Sequence, residues 1–184
     1  MHAMEWLAVL AGVALSAACG LRAFLPLLVL GLAARSGLVH LSAGGAWLAR
    51  DTSLIALGVA TALELAADKV PVLDHALDAI GLVVRPTAAW LASYALLQNW
   101  PTPWAQMVSL ALALTALGIQ GLKAKFRLGS TALTLGSGNP VVSVLEDVVA
   151  LALSLAAVLV PLAALVLLAL LAWSLRRRPR TRPA

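Results

Sequence analysis

The chain has 184 residues, of which 62% are hydrophobic and only 11% are charged, and its mean hydropathy is +0.97. Soluble domains carry roughly 45–50% apolar and about 25% charged residues, so this chain has too few charged groups to cover a soluble exterior. The formal net charge of +5 comes largely from the C-terminus, which argues against a nucleic-acid interface. The composition predicts an integral membrane protein.

The C-terminus carries a cluster of basic residues directly after an apolar segment. The cluster consists of Arg176, Arg177, Arg178, Arg180 and Arg182. Basic residues in this position are typical of the cytoplasmic side of a membrane, where each gains about 1 kcal/mol near anionic headgroups. We therefore expect a multi-pass protein of the bacterial cytoplasmic (inner) membrane, with residues 176–184 as a cytoplasmic tail.

The first apolar stretch, residues 6–34, is long for one crossing, because about 20 helical residues span a bilayer. It is interrupted at residues 20–26, which include Arg22 and Pro26. A proline lacks a backbone donor and its ring clashes with the carbonyl one turn earlier, so the sequence predicts a kinked or broken helix here. The N-terminal residues contain Glu5 and no Lys or Arg, which favours a retained helix over an export signal.

The next segments predict a loop and two helices. Residues 35–52 contain scattered charges and a Gly-Gly pair and are predicted to form a loop. A second helix is predicted over about 53–67, ending at the Asp-Lys-Val-Pro sequence of 68–71. A third is predicted over about 72–98, with a kink at Pro86.

The second half of the chain begins with an interfacial turn at 99–104, where tryptophans and prolines alternate. A fourth helix is predicted over 104–122. Residues 123–139 are the least regular, with three basic residues followed by glycines and serines. Placing these bases inside the cell conflicts with a simple crossing count that keeps the C-terminus inside, so we expect a re-entrant segment around 126–139.

The final apolar stretch, residues 140–173, also exceeds one crossing, and Pro161 is expected to divide or bend it. Together the segments predict an all-α polytopic transmembrane bundle of about five or six membrane segments, some broken or re-entrant. Residues 1–175 are assigned to a single transmembrane domain.

Two offsets indicate an internal repeat. Shifting the chain by 101 residues aligns GLRA at 20–23 with GLKA at 121–124, and a shift of 69 aligns a proline and an aspartate of each half. Secondary transporters are often built from such halves, with broken helices at corresponding positions. The halves would be about 6–98 and 104–173. An accident of a Leu/Ala-rich sequence is the alternative, and whether the halves are inverted or parallel stays open.

Several acids lie in or beside apolar helices, where each costs about 2.5–3.5 kcal/mol to insert. Buried acids usually face a polar pathway, and this is the favoured function here; structural ion pairs are the alternative. The acids concerned are Glu64, Asp68, Asp78, Glu146 and Asp147.

Basic and amide side chains accompany these acids. Arg22 and Lys123 lie beside the predicted breaks of the two halves, a position suited to binding an anionic group such as a carboxylate or a lipid phosphate. Arg85 shares a helix face with Asp78 if the third helix is regular. Asn139 is followed by Pro140, and asparagine before proline is a common start of a helix, with asparagine as the N-cap. The structural alternative is that these groups neutralise the acids, snorkel to headgroups or cap a helix.

The sequence contains no Walker loop, no dinucleotide-type glycine fingerprint and no HExxH or CxxC motif. We therefore expect no cofactor and no metal site, and we favour a non-enzymatic function. An intramembrane hydrolase or transferase stays open as an alternative. Cys19 is the single cysteine, so no internal disulfide can form.

Three segments carry a resemblance to a known family. They are SAACGLRAFLP at 16–26, ELAADKVPVLDHALD at 64–78, and GSGNP at 136–140 together with Glu146-Asp147. In motif order the chain resembles an uncharacterised domain-of-unknown-function family of small bacterial integral membrane proteins, over roughly residues 8–160. The resemblance implies that the polar breaks are the signature of the family, and it implies no activity.

The favoured hypothesis is a small secondary transporter or flippase-like carrier. The acids would couple to protons or a cation, and the bases would meet an anionic group. The alternatives are an ion channel and a non-transporting scaffold or assembly factor. A carrier or channel predicts a water-accessible cavity with unpaired acids, whereas a scaffold predicts a dry core with every acid matched to a base. The expected partners are the lipid bilayer, a small ion, solute or lipid headgroup, and a second copy in a homodimer; no nucleic acid is expected.

Overall fold

The computed structural model describes the backbone of residues 2–68, 71–97, 100–134 and 138–176, and side chains within 6–68, 79–97, 100–134, 138 and 140–160. This part of the chain is helical and contains no strand. The elements are α1 (His2–Leu21), α2 (Phe24–Arg35), a 3-10 helix (Ala46–Ala49), α3 (Asp51–Ala67), α4 (Pro71–Leu96), α5 (Thr102–Thr134) and α6 (Asn139–Arg176). The prediction of an all-α polytopic bundle is confirmed.

Three helical segments among the described residues are long and apolar enough to cross a membrane: Ala79–Leu96, Thr102–Thr134 and Pro140–Val160. Their outer faces carry large exposed apolar side chains, for example Leu110 and Leu114 on α5. In water this surface would be a large apolar patch, whereas in a bilayer it faces lipid tails. The distribution is that of a membrane protein.

Helix α1 is central and packs against α4, α5 and α6. The contacts are close because small residues form them, as is typical between membrane helices. Ser16 of α1 lies beside Ser93 of α4, with their hydroxyl oxygens 2.9 Å apart. Gly20 faces α5 so closely that an added Cβ would lie 2.7 Å from the carbonyl oxygen of Ala116.

The predicted break in the first apolar stretch is confirmed, since two residues, Arg22 and Ala23, separate α1 from α2. The Arg22 amide still donates to the carbonyl of Ala18 at 2.9 Å, so α1 is regular to this point. In a continuous helix the ring of Pro26 would clash with the carbonyl of Arg22, four residues earlier. Once the chain has turned, Pro26 lies in the first turn of α2, where its missing donor costs nothing.

α3 and α5 are longer than predicted, and α4 and α6 continue through their internal prolines without a break in the helix. α3 begins at Asp51, inside the predicted loop, and α4 runs through Pro86. α5 continues to Thr134, so the re-entrant segment predicted from residue 126 is replaced by helix over that range; residues 135–137 lie outside the described part. α6 runs across Pro161 as one helix. Membrane helices tolerate prolines because neighbouring groups satisfy the freed carbonyls.

The helices aligned by the two offsets share their directions. α5 runs parallel to α1, because successive glycines of α1 face successive turns of α5. α4 runs opposite to α1, since Gly81 lies beside Gln120 of α5 while the later Ser93 lies beside Ser16. α6 runs opposite to α5, since Gly138 lies beside Ser130 and Thr134 while the later Glu146 contacts the earlier Lys123. The repeat itself stays a prediction. If the halves are duplicated, these directions correspond to a parallel relation and not to an inverted one.

Candidate functional site

Charged side chains from four parts of the chain meet at one end of the bundle. We call the following six the ion network: Arg22, Asp68, Lys123, Arg127, Glu146 and Asp147. All of them except Asp147 are buried. Arg22 follows α1 and Asp68 follows α3, so two helix ends and the faces of two long helices hold the network together.

Asp68 lies at the centre of the ion network. Its Oδ2 accepts hydrogen bonds from Nη2 of Arg22 at 2.6 Å and from Nη2 of Arg127 at 2.7 Å. The hydroxyl of Ser143 donates to the same oxygen at 2.5 Å, and Nζ of Lys123 lies 3.8 Å from Oδ1. Several donors, two of them charged, offset the cost of removing this carboxylate from water.

Glu146 is the second shared acid. Arg127 contacts it at two points, with Nη2 3.0 Å from Oε2 and Nε 3.3 Å from Oε1. Nζ of Lys123 lies 3.2 Å from Oε2, and Nη2 of Arg22 lies 3.8 Å from it. Arg127 therefore bridges Glu146 to Asp68. Because each of these acids contacts more than one base, a base can change partners without leaving a buried charge isolated.

Asp147 completes the network less tightly. Nε of Arg22 lies 2.6 Å from its Oδ1, yet the atoms are not aligned as a hydrogen bond. The pair is a charge contact, and the carboxylate of Asp147 is 21% exposed. Nη1 of Arg22 is buried and donates to no described residue. The charges of the network are matched, whereas its hydrogen bonds are incomplete.

Glu64, one turn before Asp68, binds backbone instead of a base. Its carboxylate accepts the amide of Ala23 at 2.9 Å and the amide of Phe24 at 3.2 Å. These amides begin α2, whose N-cap residue Ala23 makes no side-chain cap. Glu64 thus caps α2 from a neighbouring helix, and its negative charge also suits the positive end of the helix dipole.

The three remaining predicted site residues are not members of the ion network. Arg85 is buried in α4, where it and Gln120 of α5 both border Gly81. The side chains of Asp78 and Asn139 lie outside the described residues. Among the side chains that are described, no three His, Cys, Asp or Glu residues are grouped to hold a metal ion.

A groove of about 990 Å³ opens beside the network, between α1, α5 and α6. It exists because α5 and α6 both pack on α1 and make few contacts with each other apart from the ion pairs of Lys123 and Arg127 with Glu146. Its walls are mostly apolar, and Lys123 and Glu146 are among the few polar groups that line it. The Lys123–Glu146 pair is therefore a point at which the ion network borders an accessible volume.

A family model described as "Domain of unknown function (DUF4126)" matches residues 9–178. The chain belongs to the DUF4126 family. The match includes every residue of the ion network, Glu64 and the groove, and the resemblance noted from the motifs is confirmed. No curated protein and no solved structure matches the chain.

Two exposed tryptophans of this DUF4126 protein mark the end of the bundle opposite the ion network. Trp6 on α1 and Trp104 on α5 are exposed and suit one membrane boundary. At 1.5 Å per helical residue, Arg22 lies about 24 Å from Trp6 and Lys123 about 28 Å from Trp104. The ion network therefore lies at the end of the bundle opposite these tryptophans, at a separation close to the thickness of a hydrocarbon core, about 30 Å.

Sequence reasoning selects five members of the DUF4126 ion network and leaves Arg127 among the three bases of an irregular segment. It misses Ser143, which donates to Asp68. Arg127 is assigned to that segment because three bases occur close together. The available signal was its spacing of four from Lys123, which places both bases on one face of a continuing α5.

Proposed function

We propose that this DUF4126 protein is a small secondary or flippase-like carrier whose ion network is the coupling element. The observation that carries the proposal is the Lys123–Glu146 pair, with Nζ 3.2 Å from Oε2. This pair belongs to the buried network and also lines the groove. A substrate that enters the groove would meet this pair, and its anionic group would compete with Glu146 for Lys123.

The exchange of Lys123 from Glu146 to a substrate has a low cost in free energy, because the acids of the network share their bases. Isolating one member of a buried pair costs about 3–5 kcal/mol. If Lys123 turned to an anionic substrate, Glu146 would keep its two contacts with Arg127. A proton or cation that accompanies the substrate would then replace the charge of Lys123 beside Glu146. We propose that this replacement couples the substrate to that proton or cation.

The orientation that accompanies the proposal has the basic tail in the cytoplasm. α6 runs from the network toward the boundary marked by the tryptophans, so the network would lie near the outer surface. Bases on the outer side oppose the positive-inside rule, but that rule concerns charges in loops. Lys123 and Arg127 are held in buried ion pairs, so the exposed Lys125 is the base of this segment that still opposes the rule.

A second candidate, the non-transporting scaffold, is favoured by a different observation. Every acid of the ion network has a base within 4 Å, and Glu64 is bound by two amides. Matched charges that link four parts of the chain would stabilise the packing of the helices without taking part in transport. No feature of the described residues favours the channel.

Proton movement in proteoliposomes separates these candidates. Vesicles loaded with a pH-sensitive dye are given a pH gradient and a panel of carboxylate and phosphate solutes, with wild type compared with Glu146→Gln and Asp147→Asn. Asp51→Asn is the matched control, because Asp51 is an exposed acid outside the network. The carrier predicts solute-dependent flux that persists in the control and is lost in both network variants. Absence of flux in wild type, together with unfolding of both variants, would support the scaffold.

A further inference from the structure

The groove changes its polarity along its length. Toward the tryptophan boundary it is lined by apolar side chains, including Ala17, Ile119, Val149 and Leu153. Toward the opposite boundary its polar lining residues, Lys123, Lys125, Glu146 and Ser130, lie among apolar ones such as Phe126, Leu133 and Val142. Because α1 and α5 run parallel and α6 runs opposite to them, these two ends lie in order across the bilayer. The few polar groups of the groove are thus confined to one of its ends, as the headgroup of a lipid is confined to one end of the molecule.

We infer that the groove binds an anionic membrane lipid, with an acyl chain in the apolar end and the phosphate at Lys123 and Lys125. This inference rests on the proposed function, for which it names the substrate class. The phosphate would lie at the depth of Lys123, about 28 Å from Trp104, which is the headgroup level of the leaflet opposite the tryptophans. A volume of about 990 Å³ lies at the upper end of the range for ligand sites.

The charges favour an anionic headgroup over a neutral one. Lys125 is exposed on α5 and takes part in none of the ion pairs of the described residues. Lys123 is already shared between Glu146 and Asp68, so Lys125 supplies the uncompensated positive charge of the groove. The phosphate of a bound lipid would make its first contact with Lys125.

The walls favour a lipid over a free anion. A small hydrophilic anion would leave water to lie against Ile119, Val149 and Leu153, which offer it no hydrogen bonds. An acyl chain fills the same surface and gains from its contacts. The separation of α5 from α6 also opens the groove along its side, so a chain can enter from the bilayer.

Native mass spectrometry of protein released from nanodiscs tests the site. The nanodiscs contain equal amounts of phosphatidylglycerol and phosphatidylcholine, and the bound lipids are counted for wild type, Lys125→Met and Arg50→Met. Arg50 is exposed beside the 3-10 helix, outside the groove, so its substitution removes the same charge elsewhere. Wild type and Arg50→Met are expected to prefer phosphatidylglycerol. Lys125→Met is expected to lose about fivefold of this preference, which corresponds to about 1 kcal/mol for one basic residue near a membrane surface.

A second variant tests the apolar end. Val149→Trp fills the groove from α6 and is expected to reduce the binding of both lipids while far-UV circular dichroism stays unchanged. Glycerol phosphate, added at millimolar concentration as the free headgroup, should not displace the lipid; displacement would show a site for free anions and overturn the inference. Equal occupancy by the two lipids in wild type, or equal behaviour of Lys125→Met and Arg50→Met, would also overturn it. Selective binding without any flux supports the lipid site and counts against the carrier, whereas flux without selective binding does the reverse.

Discussion

The ion network and the exposed pair Arg35–Asp51 use the same chemistry at opposite ends of the bundle. Nη1 of Arg35 lies 2.7 Å from Oδ1 of Asp51, much as Nη2 of Arg22 lies 2.6 Å from Oδ2 of Asp68. The side chains of the first pair are 53% and 72% exposed, and those of the second are 0% and 1% exposed. An exposed pair contributes about 0–1 kcal/mol, whereas breaking a buried pair costs about 3–5 kcal/mol.

This difference shows that distance alone does not rank the charges of a membrane protein. Arg35 and Asp51 join the end of α2 to the start of α3, which the 3-10 helix also connects. The ion network joins Arg22 and Asp68 to two long helices that are distant in the chain. All of its members except Asp147 are buried, so water replaces a lost partner less readily there. The predictions below test whether burial sets the order.

The largest effect is expected at the centre of the network. Asp68→Asn removes the charge that Arg22 and Arg127 share, and it leaves two guanidinium groups buried with less compensation. We expect the free energy of unfolding to fall by about 3–5 kcal/mol. Reversible unfolding in mixed detergent micelles, followed by far-UV circular dichroism, measures it. Asp51→Asn is the control, and equal losses in the two variants would show that burial does not decide the ranking.

The next effect concerns the packing that brings the bases of α5 to Arg22. Gly20→Ala would place a Cβ 2.7 Å from the backbone oxygen of Ala116 and 2.7 Å from Cβ of Ile119. Because backbone cannot give way as a side chain end can, we expect a loss of about 1–3 kcal/mol. Gly121→Ala is the matched control, since nothing lies within 4 Å of an added Cβ there.

Alanine at position 121 should be neutral or stabilise α5 by about 0.5–1 kcal/mol, through its higher helix propensity. The same unfolding measurement serves for both glycines. If the two variants lost the same amount of stability, the close approach of α1 and α5 at Gly20 would not be what positions the network.

The breaks and faces of individual helices could be predicted from the sequence, whereas the partners of the buried charges could not. The break after Arg22 follows from Pro26, because a proline acts on the carbonyl four residues earlier. The shared face of Glu64 and Asp68 follows from their spacing of four. No local rule joins Arg22 to Asp68, which is 46 residues away, or to Asp147. Those contacts depend on how the helices pack.

The main difference from the sequence prediction has the same origin. Three bases near residue 125 resemble a loop when their partners are unknown, so a re-entrant segment was predicted. In the structure Arg127 reaches Glu146 and Asp68, and α5 therefore continues as a helix through its basic residues. Likewise, Glu64 caps the start of α2, 40 residues away in the chain, and this role cannot be read from its own helix.

A smaller effect is expected at the edge of the network, where the partners of the acid are uncharged. Glu64→Gln keeps one acceptor oxygen, so only one of the amides of Ala23 and Phe24 loses its hydrogen bond. We expect the free energy of unfolding to fall by about 1–2 kcal/mol. One hydrogen bond to a charged group contributes about 1.5–3 kcal/mol, and the amide oxygen of glutamine still accepts one of the two hydrogen bonds. Amide hydrogen exchange at Ala23 and Phe24 should become faster. Unchanged protection at both positions would contradict the capping role.

The smallest effect is expected for the exposed pair, and it completes the comparison. A double-mutant cycle of Arg35→Met and Asp51→Asn should give a coupling energy of about 0.2–1 kcal/mol, because water competes for both groups. The coupling should fall when the salt concentration rises from about 0.01 to 1 M, where the screening length shortens from about 30 to 3 Å. The unfolding of the two single variants and the double variant at each salt concentration measures it. A coupling of several kcal/mol that resists salt would mean that these charges are shielded in the membrane-bound protein, and burial would then no longer separate the two ends of the bundle.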